Sequence, residues 1–135
     1  MELHVLNAST ERDFDAVFAK LSQLRAGGLA ISTDAFFNSR SEQLAALTVH
    51  HAVPAVYRGR EFAAAGGLLS YGASLTEAYR LAGIYTGRIV KGDRPADLPV
   101  VQASKFELII NLQIAKLLGL EVPPMLLARA DEVIE

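Results

Sequence analysis

Short apolar runs alternate with amphipathic stretches along the first half of the chain. Four runs are predicted strands because they are rich in apolar, strand-forming residues: LHVLNA, LAIS, AVY and LLSY. Between the first two, a predicted helix places its apolar residues on one stripe: Phe14, Val17, Phe18, Leu21 and Leu24. Alternating strands and helices indicate right-handed crossovers. The expected fold class is α/β, in three layers with a mainly parallel sheet.

Capping residues predict where the helices begin and end. Three helices are expected to start with a hydroxyl residue followed three positions later by an acid: Thr10 with Asp13, Ser39 with Glu42, and Ser74 with Glu77. Two helices are expected to end at paired glycines: Gly27 with Gly28, and Gly66 with Gly67. The helix that carries Leu44 and Leu47 must stop before Pro54, because a proline pushes the preceding residue out of the helical region.

A long helix opens the second half of the chain. It is predicted over residues 74–91 and carries an apolar stripe: Leu75, Ala78, Tyr79, Ala82, Tyr85 and Ile89. The proline-rich PADLPVVQASK is expected to be an extended crossing segment, and FELIINL one more strand. Asn111 can cap a short helix to Gly119, and Pro124 opens a last helix that is predicted to run through Ile134.

The composition is that of an ordinary globular domain. At 135 residues, the chain can bury roughly 70% of its unfolded surface, so it requires neither disulfides nor metals. It has no cysteine, which excludes thiolate metal sites and thiol nucleophiles. A net charge of −2 without a basic patch argues against a nucleic-acid partner. No apolar run approaches the ~20 residues of a membrane span, and the first ten residues lack the pattern of a signal peptide.

Polar side chains follow the ends of the four predicted strands. In chain order they are Asn7 and Ser9; Ser32, Thr33 and Asp34; Arg58, Arg60 and Glu61; and Ser70 and Tyr71. The carboxyl ends of parallel strands meet at one edge of a sheet, and ligands of open α/β folds bind beyond that edge. Carboxylates, guanidinium groups, hydroxyls and a phenol in one place suit a small zwitterionic or polar ligand.

Each of these residues also has a purely structural explanation. Thr33 and Asp34 are typical of turns and helix caps, and the two arginines could be solvated or paired with Glu61. Tyr71 could be a core residue that keeps its hydroxyl at the surface. No single residue decides between the two interpretations. Their convergence on one edge of the sheet is what favours a ligand site.

The sequence contains none of the common catalytic motifs. No G-x-S-x-G elbow surrounds Ser70, no phosphate-binding glycine loop follows a strand, and no H-E-x-x-H zinc pattern occurs. His50 and His51 are adjacent, so on a helix they point about 100° apart and cannot share a metal. We therefore expect a non-catalytic protein without cofactor or metal.

Longer blocks of the sequence resemble a known family. Four of them are similar, in order and spacing, to the carboxyl-terminal part of ABC-transporter substrate-binding proteins, a family with tryptophan- and tyrosine-binding members: VLNAST, GREFAAAGGLLSYGASLTEAYRLAGIYTGRIVKGDRPADLPV, SKFELIINLQIAKLLGLEVPP and LLARADEVIE. The resemblance spans essentially the whole chain. It implies a type I periplasmic-binding-protein fold, in which two α/β lobes close on a ligand. It also implies solute capture for an ABC importer, a permease partner, a periplasmic location and no cofactor.

The same resemblance implies which residues contact the ligand. Two loops and a hinge residue match contact positions of the family: Ser32, Thr33 and Asp34; Arg58, Arg60 and Glu61; and Tyr71. Some relatives carry acidic residues in the second loop where this chain has Gly59 and Arg60. This departure puts an amine-binding role for that loop in doubt and hints at a more anionic ligand, such as a small organic acid.

Relatives more than twice as long suggest three parts in this chain. Residues 1–72 would be α/β units of the second lobe, residues 73–95 a helix that packs on the first lobe, and residues 96–135 a crossover segment, a return strand and terminal helices. The sequence as written would then lack the first lobe and the export signal. If it is the complete gene product, the expected location is cytoplasmic.

Without a first lobe, the apolar stripe of the long helix would lose its usual cover. We therefore expect a homo-oligomer that forms through helix 74–91, because soluble monomers rarely expose a continuous apolar patch. Gly83 and Gly87 would let another backbone approach closely, or they are simply tolerated glycines. The alternative function is a regulatory effector-binding or oligomerisation module that retains no ligand.

Overall fold

The computed structural model describes residues 2–101 and 105–135. The helices are α1 (Glu11–Leu24), α2 (Ala35–Ser39), α3 (Ser41–His50), α4 (Arg60–Ala64), α5 (Leu75–Val90), α6 (Leu112–Leu117) and α7 (Pro124–Leu127), with a 3₁₀ turn at Pro95–Asp97. The strands are β1 (Leu29–Ala30), β2 (Ala55–Tyr57), β3 (Leu69–Ala73), β4 (Phe106–Asn111) and β5 (Glu132–Ile134). Part of the predicted crossing segment, residues 102–104, lies outside the described residues.

In the described part of the chain, the five strands form one mixed sheet in the order β1-β2-β3-β4-β5. The pairs β1–β2, β2–β3 and β4–β5 are parallel, whereas β3 and β4 are antiparallel. The predicted α/β class with a mainly parallel sheet is confirmed. Because β4 and β5 run opposite to β1–β3, their amino ends lie at the edge where β1–β3 have their carboxyl ends.

The main hydrophobic core packs helices α1, α3 and α4 against strand β2. Its buried residues come from these four elements: Phe14, Phe18, Leu21, Leu44, Ala45, Ala55, Tyr57 and Phe62. Helix α2 adds Phe36 at the margin, where its ring stacks on Phe14 at a centroid distance of 5.6 Å. The predicted apolar stripe of the first helix therefore does reach the core. This core packs on the sheet at strand β2.

The carboxylate of Asp13 caps helix α1. Its Oδ2 atom accepts the backbone N–H groups of Ser9 and Thr10, each at 2.8 Å, and the predicted capping box between Thr10 and Asp13 is present. Hydrogen bonds from the Ser9 and then the Thr10 backbone hold the pKa of Asp13 below its ordinary value. The ionised carboxylate is thus the form that the folded state prefers.

Three helix boundaries differ from the predicted ones. Helix α1 ends at Arg25, which adopts the left-handed conformation at φ 50°, before the expected glycine pair. Ser39 does not open the next helix. It is the last residue of α2, its hydroxyl donates to the Phe36 carbonyl at 2.7 Å, and Arg40 takes the cap position of α3. The helix at Pro124 ends at Leu127 instead of continuing through Ile134.

The structure also differs from the prediction at both ends of the chain. LHVLNA forms no strand. The sheet begins instead at β1, which is only two residues long and pairs with β2 alone. Leu3 and Val5 are 81% and 77% exposed, while Leu6 and Ala8 pack against the core. At the other end, β-branched Val133 and Ile134 pair with β4 as strand β5. At both ends of the chain, pairing with a neighbouring strand decided which segment became a strand, and this outweighed the intrinsic helix and strand propensities.

Helix α5 buries none of its residues. Its exposed apolar side chains have between 41% and 81% of their surface accessible: Leu75, Tyr79, Ile84, Ile89 and Val90. Apart from the backbone of α5 itself and the adjacent residues, no atom of residues 2–101 and 105–135 lies within 4 Å of the positions that a Cβ would take at Gly83 and Gly87. Within the described residues, no helix combines the length and the apolar character that a bilayer crossing needs.

We predict that Asp13→Asn destabilises the fold at about pH 7 and that its effect fades as the pH falls below about 4. A carboxyl with a lowered folded pKa stabilises above its unfolded pKa of ~3.9, and that contribution is lost as the pH falls through the folded value. Melting temperatures across this pH range measure the effect. Asp15→Asn, on the same helix, is the control. A difference between wild type and Asp13→Asn that does not change with pH would contradict the prediction.

Candidate functional site

The candidate site lies at the edge where strands β2 and β3 end. Tyr57 of β2 pairs with Ser70 of β3, so the loop that follows β2 runs beside the end of β3. On the other side, Gly72 of β3 pairs with Glu107 near the start of β4. Side chains from two strand ends and one strand start therefore face a common space.

This space is a small cavity of about 60 Å³. It is bordered by the loop after β2, the end of β3, the first turn of α5 and strand β4: Arg58, Gly59, Arg60, Glu61, Ser70, Gly72, Ala73, Leu75, Thr76, Glu107 and Ile109. Ser70 is only 1% exposed. The walls combine two guanidinium groups, two carboxylates and two hydroxyls around a few apolar groups, a mixture that recognises small polar molecules.

Gly72 lets strand β3 approach the loop closely. A Cβ at this position would collide with the carbonyl oxygen of Arg58 and would lie 3.1 Å from its carbonyl carbon. The backbone of Arg58 is therefore seated directly against β3. Only a residue without a side chain leaves room for this contact, which fixes the start of the loop at the cavity wall.

The charges around the cavity fall into two ion pairs and two single groups. Arg60 pairs with Glu132 through Nη2–Oε1 at 2.6 Å, and Lys105 pairs with Glu107 through Nζ–Oε1 at 3.4 Å. The Glu132 carboxylate raises the pKa of Arg60. Within residues 2–101 and 105–135, the side chains of Arg58 and Glu61 have no hydrogen-bonded or ion-paired partner. One cation and one anion thus remain available in the same wall.

The structure brings together only some of the predicted site residues. Arg58, Arg60 and Glu61 line the cavity with Ser70. Asn7 and Ser9, which were predicted to follow the first strand, do not follow a strand in the structure. The backbone N–H of Ser9 instead donates to the Asp13 carboxylate. The loop Ser32–Asp34 is exposed and does not line the cavity.

Of the structural explanations weighed for these residues, the fold contains the helix cap at Asp34 but not a core position for Tyr71. The Asp34 carboxylate caps α2 by accepting the Phe36 N–H at 2.7 Å. Tyr71 is 57% exposed and stacks on Phe106 at 5.8 Å between ring centroids. Since Ser70 and Gly72 both line the cavity, alternation along the strand places Tyr71 on the opposite face of the sheet.

Sequence reasoning missed Thr76, Glu107 and Glu132. Thr76 lies in the first turn of α5. The cap of this helix was predicted at Ser74, so the predicted helix start could have indicated that Thr76 lies near the site. Glu107 interrupts the apolar strand FELIIN one residue after its start, but its position beside Gly72 depends on the antiparallel pairing. Glu132 was assigned to a helix, so nothing placed it near Arg60.

Comparison with protein families identifies the chain. The family model described as "ABC transporter substrate binding protein" matches residues 1–134. The chain belongs to the ABC transporter substrate-binding protein family. The resemblance noted in the sequence is thereby confirmed, and it covers the strands and loops that line the cavity. Curated proteins give no significant match.

Three solved structures share the fold. A conserved domain protein from Vibrio cholerae has 21% identity and a TM-score of 0.79 over 90% of this chain. An ABC domain in complex with L-Trp from Streptococcus pneumoniae has 22% identity and a TM-score of 0.80 over 91%. A ligand-free, open substrate-binding protein with adhesive properties from Clostridium difficile has 19% identity and a TM-score of 0.65 over 95%. This chain spans only 41% to 42% of their lengths.

We predict that Gly72→Ala lowers the free energy of unfolding by about 1–3 kcal/mol, because the added methyl group forces β3 away from the Arg58 backbone. Gly27→Ala is the matched control, because a Cβ at Gly27 would meet no atom within 4 Å. It should be neutral or stabilise by up to about 1 kcal/mol, because alanine restricts the unfolded chain. Urea unfolding of both variants measures the two effects. Equal stability of Gly72→Ala and the wild type would show that the close contact does not constrain the fold.

Proposed function

We propose that this chain supplies one wall of the ligand cleft of a solute-binding protein that serves an ABC importer. The observation that carries the proposal is the pairing pattern in the cavity, where Arg58 and Glu61 remain single while the neighbouring charges are paired. Family membership supports capture and release of a solute without chemical conversion. The predicted parts, residues 1–72, 73–95 and 96–135, would then be lobe, lobe-packing helix and crossover of a type I fold.

The proposed ligand class is an amino-acid-like zwitterion. Arg58 suits a carboxylate, and the first turn of α5, at Leu75 and Thr76, adds the positive end of a helix dipole to the same wall. Glu61 suits an ammonium group. Because Glu132 neutralises Arg60, the balance of charge favours a zwitterion over the more anionic ligand that the loop sequence suggests. The Streptococcus pneumoniae neighbour holds L-Trp, which belongs to this class.

The cavity is smaller than a complete ligand site. Pockets for small molecules usually enclose roughly 300–1,000 Å³, whereas this one has about 60 Å³. We propose that the opposing wall comes from a first lobe, since this chain spans only 41% to 42% of the lengths of the structural neighbours. The loop from Ser32 to Asp34, outside the cavity lining, would form the rim on which that lobe closes. Tyr71, on the opposite face of the sheet, would take no part in it. The permease partner and a periplasmic location belong to the same proposal.

A thermal-shift screen against amino acids, dicarboxylates and small aromatic acids tests this function. Ligand at about a hundred times its Kd stabilises the native state by about 2.7 kcal/mol, which gives a measurable rise in melting temperature. We expect the shift with an amino acid, and we expect Arg58→Gln to abolish it. Arg12→Gln, on the exposed side of α1, is the matched control. Cooperative melting with no shift from any compound would refute the proposal for this chain.

The uncovered face of α5 favours a second role in self-association. Its apolar side chains are exposed over the full length of the helix, and Gly83 and Gly87 leave its surface open to another backbone. We propose that in the 135-residue chain two copies pack through this face, since a helix can meet its own symmetry mate with the same residues. An oligomerisation module without a retained ligand is the alternative function that this face supports.

Light scattering at micromolar concentration tests the association. The wild type is expected to be a dimer, and Tyr79→Glu is expected to be a monomer because it places a charge in the centre of the apolar face. Arg88→Glu is the control on the same helix, because nine residues at about 100° each place it on the side opposite Tyr79. A monodisperse wild-type monomer would exclude self-association through α5.

A further inference from the structure

Arg60 and Glu132 form a fork between the ligand-contact loop and the last strand. Arg60 Nε donates to Glu132 Oε2 at 2.8 Å, and Nη2 donates to Oε1 at 2.6 Å. The two residues are 72 positions apart in the chain. Two parallel hydrogen bonds fix the plane of the guanidinium group, which a single ion pair would not do. The third nitrogen, Nη1, takes no part in the fork.

The backbone that carries Glu132 is held by hydrogen bonds to strand β4. The Asp131 N–H donates to the Leu108 carbonyl at 2.8 Å, and the Leu108 N–H donates to Asp131 Oδ2 at 2.8 Å. The next residue, Glu132, then pairs with Ile109 as β5 begins. The carboxylate is therefore presented from a paired strand and not from a free chain end.

Two further contacts hold the same loop and helix. Helix α4 has only five residues, too few to be stable by itself. At its carboxyl end, the buried Asn111 Nδ2 donates to the Ala63 carbonyl at 3.1 Å. Before its amino end, the Arg58 backbone rests against Gly72. The fork to Glu132 is the contact between these two, and it acts on the side chain at the first residue of the helix.

We propose that Glu132 is a positioning residue for the ligand site. It holds the guanidinium of Arg60 against the strand, so that the loop from Arg58 to Glu61 keeps one conformation and Nη1 stays available to the ligand. The part that concerns ligand affinity rests on the function proposed above. The geometry assigns the role to Glu132 because its partner lines the cavity while Glu132 does not. The carboxyl-terminal strand thereby becomes part of the binding machinery.

The pair is too exposed to be explained as a support of global stability. The side chains of Arg60 and Glu132 are 54% and 38% exposed, and ion pairs in such surroundings contribute little to the stability of the fold. A role in stability and a role in positioning therefore predict different results. Loss of the carboxylate should leave the melting temperature nearly unchanged while it loosens the loop.

The test compares Glu132→Gln with Glu121→Gln in the full 135-residue chain. Glu121 is an exposed residue away from the cavity and is the matched control. Amide hydrogen exchange is measured without ligand at Phe62 and Ala65, whose N–H groups donate to the Gly59 and Glu61 carbonyls of the loop. Binding of L-tryptophan is measured by calorimetry. In Glu132→Gln we expect exchange at these amides to rise and the Kd for L-tryptophan to increase about tenfold, as for loss of one hydrogen bond to a charged group. Glu121→Gln should match the wild type.

A charge exchange separates positioning from direct contact. The double variant Arg60→Glu with Glu132→Arg should restore slow exchange at Phe62 and Ala65 but not the affinity for L-tryptophan, because Nη1 of Arg60 is gone. Exchange in Glu132→Gln equal to that in the control would overturn the proposal. Faster exchange with unchanged affinity would overturn its ligand part. A wild type that does not bind L-tryptophan counts against that ligand, and the exchange data then judge the positioning alone.

Discussion

The reversal of direction between β3 and β4 is the constraint on which the site depends. Strands β1–β3 bring their carboxyl ends to one edge, and the antiparallel pairing of β4 brings the starts of β4 and β5 to that same edge. Without this reversal, Glu107 and Glu132 would stand at the far side of the sheet. The fold thus builds its polar wall from loops that leave strands and from residues that enter them, and it can balance cations of one group with carboxylates of the other.

Much of the fold could be predicted because local chemistry and tertiary packing agree. The apolar stripe of α1, the capping pair of Thr10 with Asp13, and the strands β2 and β3 all satisfy both. The failures occur where packing overrides propensity. LHVLNA has the composition of a strand but no partner, and the segment after Leu127 has a partner in β4 that its own sequence does not announce. Pairing partners are long-range information that periodicity does not contain.

The site was predictable to the same depth. Arg58, Arg60 and Glu61 follow β2 directly, so the rule that polar loops leave the carboxyl ends of parallel strands was enough to find them. The rule also selected Asp34, whose carboxylate is used as a helix cap. Glu107 and Glu132 enter through the antiparallel pair, for which a single sequence carries no local signal. Composition finds the residue types, and only topology decides which charges meet.

The two edge strands of the sheet are very short, with two residues in β1 and three in β5. An exposed edge is a template for strand addition by other chains, and its hazard grows with the number of free backbone groups that it offers. These edges offer few, so runaway stacking of sheets into fibres has little to start from. Contacts between copies would instead be made by helix surfaces. A symmetric contact of this kind is used up once two copies have bound, so assembly stops at a dimer.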